Sequence, residues 1–300
     1  MTFDLYFAAR DGAAPPELAD IQSWFESRPN FSLQGPNRTQ AFYEHKDTDV
    51  YFWLDCGPDV DAVDGLPPNR PPILSFTLNQ PRPSFFAMEA VNELAPLSEA
   101  FALDVIDPQS DQSDYMGFDG EGIFDSYDRS SSVILTLLSR EVGYAAKPVP
   151  RETLHYLWRW NSMRGELQST LGGGIFVPKI MLFDDHGEPK TGIVWTDGIP
   201  VIIPDCELIC VYRDALAPQD GTHAKDGELS LAFIAHDELQ HRWPAHFKSF
   251  ADEFAVLMTT YRDTPSDLRS ALVSLPAGEN HDLQRADGVV DAQWLDTSEA

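Results

Sequence analysis

The stretch Phe3-Asp4-Leu5-Tyr6-Phe7 alternates apolar and more polar side chains close to the start of the chain. This period of two predicts a β-strand whose two faces meet different surroundings. Asp11-Gly12 breaks the pattern, and Pro15-Pro16-Glu17 then opens an apolar stripe at helical spacing over residues 18–25. A strand followed by an amphipathic helix is the first sign of a mixed α and β fold.

Four more strands and a second helix are predicted before residue 107. Residues 42–45 and 50–54 are rich in aromatic and β-branched side chains and flank a short turn, as in a hairpin. Residues 73–78 predict a strand, Pro83 opens a helix, and residues 103–106 predict a short strand. The first 106 residues therefore predict a β-α-β-β-β-α-β unit of the α+β class.

The second half of the chain carries the clearest β signal. Four apolar runs between residues 175 and 212 are separated by turns, and Asp197-Gly198 is a strong hairpin cue because both turn positions require positive φ. These runs predict a four-stranded antiparallel meander. Helices are predicted over 133–141, from Pro150 to the glycines at 172–174, near 235–242, and over 247–262.

These elements suggest three segments. Residues 1–128 are predicted to form an acidic α+β unit. Residues 129–275 are predicted to form a unit of helices and antiparallel sheet, either separate from the first or continuous with it. Residues 276–300 are polar and acidic without sustained periodicity, which predicts a mobile tail.

The composition excludes several classes of partner. The 300 residues include 48 acids against 21 bases, a formal net charge of −27. Nucleic-acid binding needs clustered Lys and Arg to neutralise phosphates, and attachment to anionic membranes needs the same, so neither partner is expected. The hydrophobic fraction of 43% and the aromatic fraction of 11% are those of a folded protein.

The acidic charge is concentrated in one region. Residues 1–128 hold 23 acids and 6 bases, and residues 104–128 hold eight acids and no base. The acids are interleaved with aromatic residues, which suits docking on a basic partner, because charge speeds association and rings supply buried area. The candidate partner-binding residues are Asp111, Asp114, Tyr115, Phe118, Asp119, Glu121 and Asp125. A solvated loop that only maintains solubility, or a calcium site, remains open, although the spacing differs from that of an EF-hand.

Motifs for catalysis or cofactor binding are missing from the sequence. There is no G-x-S-x-G nucleophile elbow, and the glycines at 172–174 lack the context of a phosphate-binding loop. The one histidine-rich cluster, His236, Asp237, His241 and His246, lacks the spacing of a zinc motif. We therefore predict no catalytic residue, no cofactor and no metal ion.

The cysteines and the length of the apolar runs indicate the cellular compartment. Cys56, Cys206 and Cys210 form no metal pattern and leave one thiol unpaired in any disulfide scheme, so they are expected to be reduced and partly buried. No apolar run reaches the length of about 18 residues that a transmembrane helix needs. The N-terminal residues lack the positive charge of a signal peptide, and a cytoplasmic location is expected.

Three stretches carry a resemblance to a known group of proteins. They are Phe3-Asp4-Leu5-Tyr6-Phe7, residues 82–90, and residues 193–204 followed by Cys206-Glu207. This pattern resembles uncharacterised bacterial proteins that begin with a "DLYF" strand, some of which are suspected immunity proteins of polymorphic or contact-delivered toxin systems. The resemblance implies a cytosolic inhibitor that occludes a toxin, and it implies no functional residue.

The expected function is thus a soluble acidic binding protein, an immunity-type inhibitor that covers a basic surface or active site of a protein toxin. Two alternatives stay open at the level of sequence. One is an enzyme of unrecognised type with a cleft between the two units, and the other is a structural or adaptor protein. The oligomeric state is not predicted.

Overall fold

A computed structural model describes residues 1–57, 60, 65–213, 231–250, 256–276, 283–284 and 288–295 of the chain. The chain divides into two compact units. Unit 1 comprises residues 1–151 together with 289–300, and unit 2 comprises residues 152–288. The division lies near residue 151, whereas the boundary predicted at 128/129 falls inside a helix.

The described residues form strands and helices throughout, which confirms the α+β class. The strands are β1 (Thr2–Ala9), β2 (Phe31–Gln34), β3 (Gln40–Glu44), β4 (Tyr51–Cys56), β5 (Leu74–Asn79), β6 (Leu103–Ile106), β7 (Met116–Gly117), β8 (Lys147–Val149), β9 (Met181–Asp185), β10 (Glu188–Thr196), β11 (Ile202–Ile203), β12 (Leu208–Tyr212), β13 (Leu231–Ala235), β14 (Phe247–Phe250), β15 (Val256–Thr259), β16 (Leu283–Gln284) and β17 (Val289–Asp291). The helices are α1 (Leu18–Glu26), α2 (Phe85–Ala100), α3 (Gly120–Val142), α4 (Arg151–Leu171), α5 (His236–Arg242) and α6 (Ser266–Val273).

Unit 1 is built on a seven-stranded antiparallel sheet in the order β2-β3-β4-β5-β1-β6-β7. The N-terminal strand β1 lies inside the sheet, between β5 and β6. Phe3, Leu5 and Phe7 on β1 are almost completely buried, as the alternation predicts. The predicted hairpin is confirmed as β3 and β4, while β2 and β7 are edge strands that the sequence pattern did not reveal.

Helix α3 is longer than predicted. The apolar pattern suggested a helix from Val133, but α3 begins at Gly120, where the Asp119 carboxylate accepts a hydrogen bond from the Gly122 N–H and caps the helix. The buried face of its first three turns carries Ile123, Tyr127 and further residues at a spacing of four. Residues 120–128 of the acidic stretch are therefore helical, whereas residues 107–119 form turns, irregular segments and the short strand β7.

The C-terminal segment differs from the predicted mobile tail at residues 289–295. Strand β17 pairs in parallel with β8, and Asp291 is completely buried. Its carboxylate accepts hydrogen bonds from the Ser84 N–H at 3.0 Å and from Arg151 Nε at 2.6 Å. The indole N–H of Trp294 donates to Asp128 Oδ1 at 2.7 Å. This short segment supplies both apolar side chains and a buried charge pair, which hold it in unit 1.

Unit 2 contains a five-stranded sheet in the order β13-β12-β10-β9-β16 and a three-stranded sheet in the order β11-β15-β14. β9, β10, β12 and β13 form the predominantly antiparallel core of the first sheet, but β10 and β12 are parallel. The segment after Asp197-Gly198 does not fold back on β10. Its backbone pairs instead with Phe176, and β11 pairs with β15 of the other sheet.

Two further features complete unit 2. The helix predicted over 247–262 is wrong, because residues 247–250 and 256–259 form the antiparallel pair β14 and β15, and residues 251–255 lie outside the described part of the chain. The helix predicted near 235–242 is confirmed as α5. The described residues contain no helix that is both long enough and apolar enough to cross a membrane.

Candidate functional site

The acidic stretch surrounds a cleft of about 560 Å³ in unit 1. One wall is the segment that follows β6 and includes β7, and the opposite wall is the first part of α3. Leu5, Val105 and Ile123 give the cleft an apolar floor, while carboxylates, hydroxyls and the exposed Arg129 form its walls. The cleft therefore combines apolar surface with concentrated negative charge.

All five predicted carboxylates are exposed, and three of them, Asp111, Asp114 and Asp119, line this cleft, whereas Glu121 and Asp125 lie on α3 outside its lining. Asp111, Glu121 and Asp125 make no ion pair with any cation in the described residues. Asp114 lies 3.8 Å from Arg70 Nη1 and also accepts a hydrogen bond from the Tyr115 N–H at 2.8 Å. Asp119 is exposed as well, although it caps α3. Four of the five carboxylates therefore form no ion pair within the described residues.

The buried carboxylate of Asp107 links the two walls of the cleft by hydrogen bonds. Asp107 accepts hydrogen bonds from the Gln109 N–H at 2.8 Å and from the Ser126 hydroxyl of α3. Its own N–H donates to Gln112 Oε1 at 3.0 Å. These bonds tie the segment after β6 to α3, so both walls of the cleft are held in place by the same side chain.

Tyr115 was predicted to contact a partner, and the structure contradicts this. Its side chain is only 6% exposed and packs with Tyr6, Ala8 and Ile106, beneath the Arg70 guanidinium at 5.0 Å from the ring centre. Burial raises the pKa of Tyr115 to about 12. The ring is buried because it fills the space beside β1 and β6, and it anchors the acidic segment instead of extending from it.

The apolar part of the exposed surface is supplied by other residues. Phe118 is half-buried, whereas the neighbouring Met116 is 57% exposed. A second cleft of about 390 Å³ shares Asp111 with the first and continues along α3 to Val133. Val133 and Leu137, four residues apart on the helix, are 60% and 42% exposed. We call these three exposed residues, Met116, Val133 and Leu137, the apolar shelf.

The apolar shelf was not predicted, because a helix that begins only at Val133 is too short to show which of its apolar residues share the buried face of α3. A signal was present: extending the helix back to the Asp119 cap places Ile123, Tyr127 and Leu135 on one face. Val133 and Leu137 then fall outside that face. The correct start of α3 was therefore needed to separate buried from exposed apolar residues.

Metal binding was one of the open interpretations of the acidic stretch. No group of three or more His, Cys, Asp or Glu in the described residues is arranged to hold a metal ion, and this includes the acidic stretch. In the histidine-rich segment, His241 Nδ1 lies 2.9 Å from the Asp237 carbonyl oxygen, and His246 Nε2 lies 2.9 Å from Asp267 Oδ2. These rings are engaged in local contacts within unit 2.

No protein-family model, curated protein or solved structure matches the chain. What bears on function is therefore the chemistry of the cleft. Free carboxylates beside exposed apolar side chains favour a ligand with ammonium or guanidinium groups on apolar stems, as Lys and Arg side chains provide.

Proposed function

We propose that this protein binds a basic protein partner through the acidic cleft and the apolar shelf, as an immunity-type inhibitor that occludes a toxin in the cytoplasm. The observation that carries the proposal is the continuity of the two surfaces. Asp111 and Asp119 line the first cleft without an ion pair to a described cation, and Asp111, together with Arg129, also lines the second cleft, which reaches the exposed Val133 of α3.

The two surfaces contribute to binding in different ways. Carboxylates at the rim steer a basic partner toward the cleft and increase the association rate. Charge pairs that become desolvated on contact contribute coupling energies of about 1.5–7 kcal/mol. The apolar shelf removes hydrocarbon from water and so lengthens the lifetime of the complex. A nuclease or another enzyme with a cationic active site is a suitable target, because the carboxylates take the place of its phosphate ligand.

We expect neutralisation of the cleft to weaken binding by about 100-fold or more. The variant carries Asp111→Asn, Asp114→Asn, Asp119→Asn, Glu121→Gln and Asp125→Asn. Asparagine preserves both the cap of α3 and the hydrogen bond to the Tyr115 N–H, so the fold is retained. The immobilised wild-type chain is used to capture its partner from the native cells, and Kd is then measured for the purified pair at several salt concentrations.

A matched control removes five exposed carboxylates elsewhere: Glu17→Gln, Asp20→Asn, Glu44→Gln, Glu99→Gln and Glu166→Gln. Both variants have the same net charge, so a difference in Kd between them depends on where the substituted carboxylates lie. We expect the control to bind within about threefold of wild type, because its five carboxylates line neither cleft and salt screens exposed charges that make no contact with the partner. Equal affinity and equal salt dependence of the two variants would contradict the site. A captured protein whose toxicity is unaffected by co-expression would contradict the inhibitor role.

The apolar shelf is tested separately. Val133→Ser with Leu137→Ser is expected to increase Kd by about tenfold, mainly through faster dissociation, while salt dependence stays unchanged. Because both side chains are exposed, the free energy of unfolding should change by less than about 0.5 kcal/mol for each substitution. Surface plasmon resonance gives the rate constants. An unchanged dissociation rate would remove the apolar shelf from the interface.

A further inference from the structure

Unit 2 contains a groove of about 790 Å³ where two turns meet. One turn is the glycine run at 172–174, which follows α4, and the other includes Ile199 and Pro200, which follow β10. Phe176 and Ile175 extend the apolar surface between them. Its volume lies within the range of about 300–1,000 Å³ that is typical of small-molecule sites.

The conformation of the glycine turn is fixed by hydrogen bonds from one side chain of α4. The Gln168 side-chain amide donates hydrogen bonds to the carbonyl oxygens of Gly172 at 2.8 Å and Ile175 at 2.9 Å. The same side chain accepts a bond from the Val177 N–H at 2.9 Å. A Cβ atom placed on any of the three glycines would meet no atom within 4 Å, so this wall borders open space.

The opposite wall is equally fixed. The Trp195 indole N–H donates to the Ile199 carbonyl oxygen at 2.8 Å. The Gly198 carbonyl oxygen accepts hydrogen bonds from the Tyr261 hydroxyl at 2.7 Å and from the Thr264 hydroxyl at 3.0 Å. The Phe176 N–H donates to the Pro200 carbonyl oxygen at 2.9 Å and joins the two walls. The groove is thus formed before any ligand binds, which reduces the entropy lost on binding.

Arg262 gives the groove its one strong polar feature. The side chain is exposed, borders the apolar surface, and forms no ion pair with a carboxylate of the described residues, although the chain carries 48 acids. A guanidinium beside an apolar surface recognises a carboxylate or sulfonate attached to hydrocarbon. We propose that this groove binds a small organic anion with an apolar body, such as an alkyl or aryl carboxylate. The apolar body packs on Phe176 and Ile199, and the anionic group pairs with Arg262.

Fluorescence titration tests this site in the full-length protein. Anilinonaphthalene sulfonate, an aromatic sulfonate that brightens in apolar surroundings, is expected to bind saturably and to be displaced by octanoate. Octanol has the same chain without the charge and should displace the dye at least about tenfold more weakly, because it lacks the charge-assisted hydrogen bond. Equal competition by octanol and octanoate would overturn the role of Arg262, and the absence of saturable dye binding would overturn the site.

Two variants locate the binding. Arg262→Gln is expected to weaken octanoate binding by about tenfold or more, whereas the control Arg269→Gln, which removes an exposed arginine of α6, should leave it unchanged. Gly173→Phe fills the open space beside the glycine turn and should abolish displaceable binding while the circular dichroism spectrum is retained. Wild-type affinity in both Arg262→Gln and Gly173→Phe would overturn the proposal, as would an equal loss in the Arg269→Gln control.

Discussion

Replacing Asp291 by alanine is expected to lower the free energy of unfolding of unit 1 by about 2–4 kcal/mol, because it removes a fully buried carboxylate that pairs with the partly exposed Arg151 and accepts a buried backbone hydrogen bond. Asp291 is completely buried and accepts hydrogen bonds from Arg151 Nε and the Ser84 N–H. Its removal leaves the Ser84 N–H without this acceptor and reduces the Arg151 guanidinium to its contact with Asp128. Both losses raise the free energy of the folded state.

Urea unfolding followed by tryptophan fluorescence and circular dichroism measures this change. If the two units unfold in separate transitions, only the transition of unit 1 should move. Asp291→Asn keeps an acceptor for the Ser84 N–H and should give an intermediate loss. The matched control Glu99→Ala removes an exposed carboxylate of α2 and should change stability by less than about 0.5 kcal/mol. A loss below about 1 kcal/mol for Asp291→Ala would show that the C-terminal segment contributes little to unit 1.

All three cysteine thiols are expected to react more than about 100-fold more slowly in the folded protein than in the unfolded chain at pH 8. They are free and buried. Burial raises the pKa of Cys56 and Cys210 to about 11 in each case and raises the pKa of Cys206 as well. An ordinary thiol is substantially ionised at pH 8, whereas one with a pKa of about 11 is ionised to about one part in a thousand. A thiolate with a higher pKa is a stronger nucleophile, which offsets part of the decrease in reaction rate. Burial, however, also hinders the access of the reagent to the sulfur.

The rate is measured with a chromogenic disulfide reagent, before and after unfolding in guanidinium chloride. Unfolding should release three reactive thiols for each chain. Raising the pH from 8 to 9 increases the thiolate fraction of all three thiols, so the rate in the folded protein should rise about tenfold if no opening step limits it. A thiol that reacts in the folded state within tenfold of the unfolded rate would contradict its burial. The reactive thiol is then identified by measuring the same rate in three single variants, Cys56→Ser, Cys206→Ser and Cys210→Ser.

Some features of the fold followed directly from local patterns. The alternation at residues 3–7 correctly predicted β1, and the aromatic runs on both sides of residues 47–49 correctly predicted the hairpin of β3 and β4. These predictions succeeded because a strand with one buried face repeats every two residues, and this repeat is visible within a single short segment. Pro83 likewise marked the region where α2 begins.

Other predictions failed where distant residues determine the structure. Asp197-Gly198 has the sequence of a hairpin turn, but the segment after it bonds to Phe176 and β15, so β12 returns to the sheet parallel to β10. The pattern over residues 247–262 predicts a helix, yet β14 and β15 pair with each other, and β15 also pairs with β11. Strand pairing across such distances can override local propensity.

The candidate site also combines features that the sequence predicts with features that depend on the tertiary structure. The sequence alone established that the chain is strongly acidic and that its acids are concentrated without bases at 104–128. Only the tertiary structure decided which of these residues face solvent: it buries Tyr115 beneath Arg70 and exposes Val133 and Leu137.

The C-terminal segment follows the same rule. Residues 289–295 read as part of an acidic tail, and Asp291 becomes a buried ion-pair partner only because Ser84 and Arg151 meet it in space. Charge and periodicity are properties of neighbouring residues and can be read along the chain. Exposure and pairing depend on which distant surfaces meet, and the tertiary structure alone determines them.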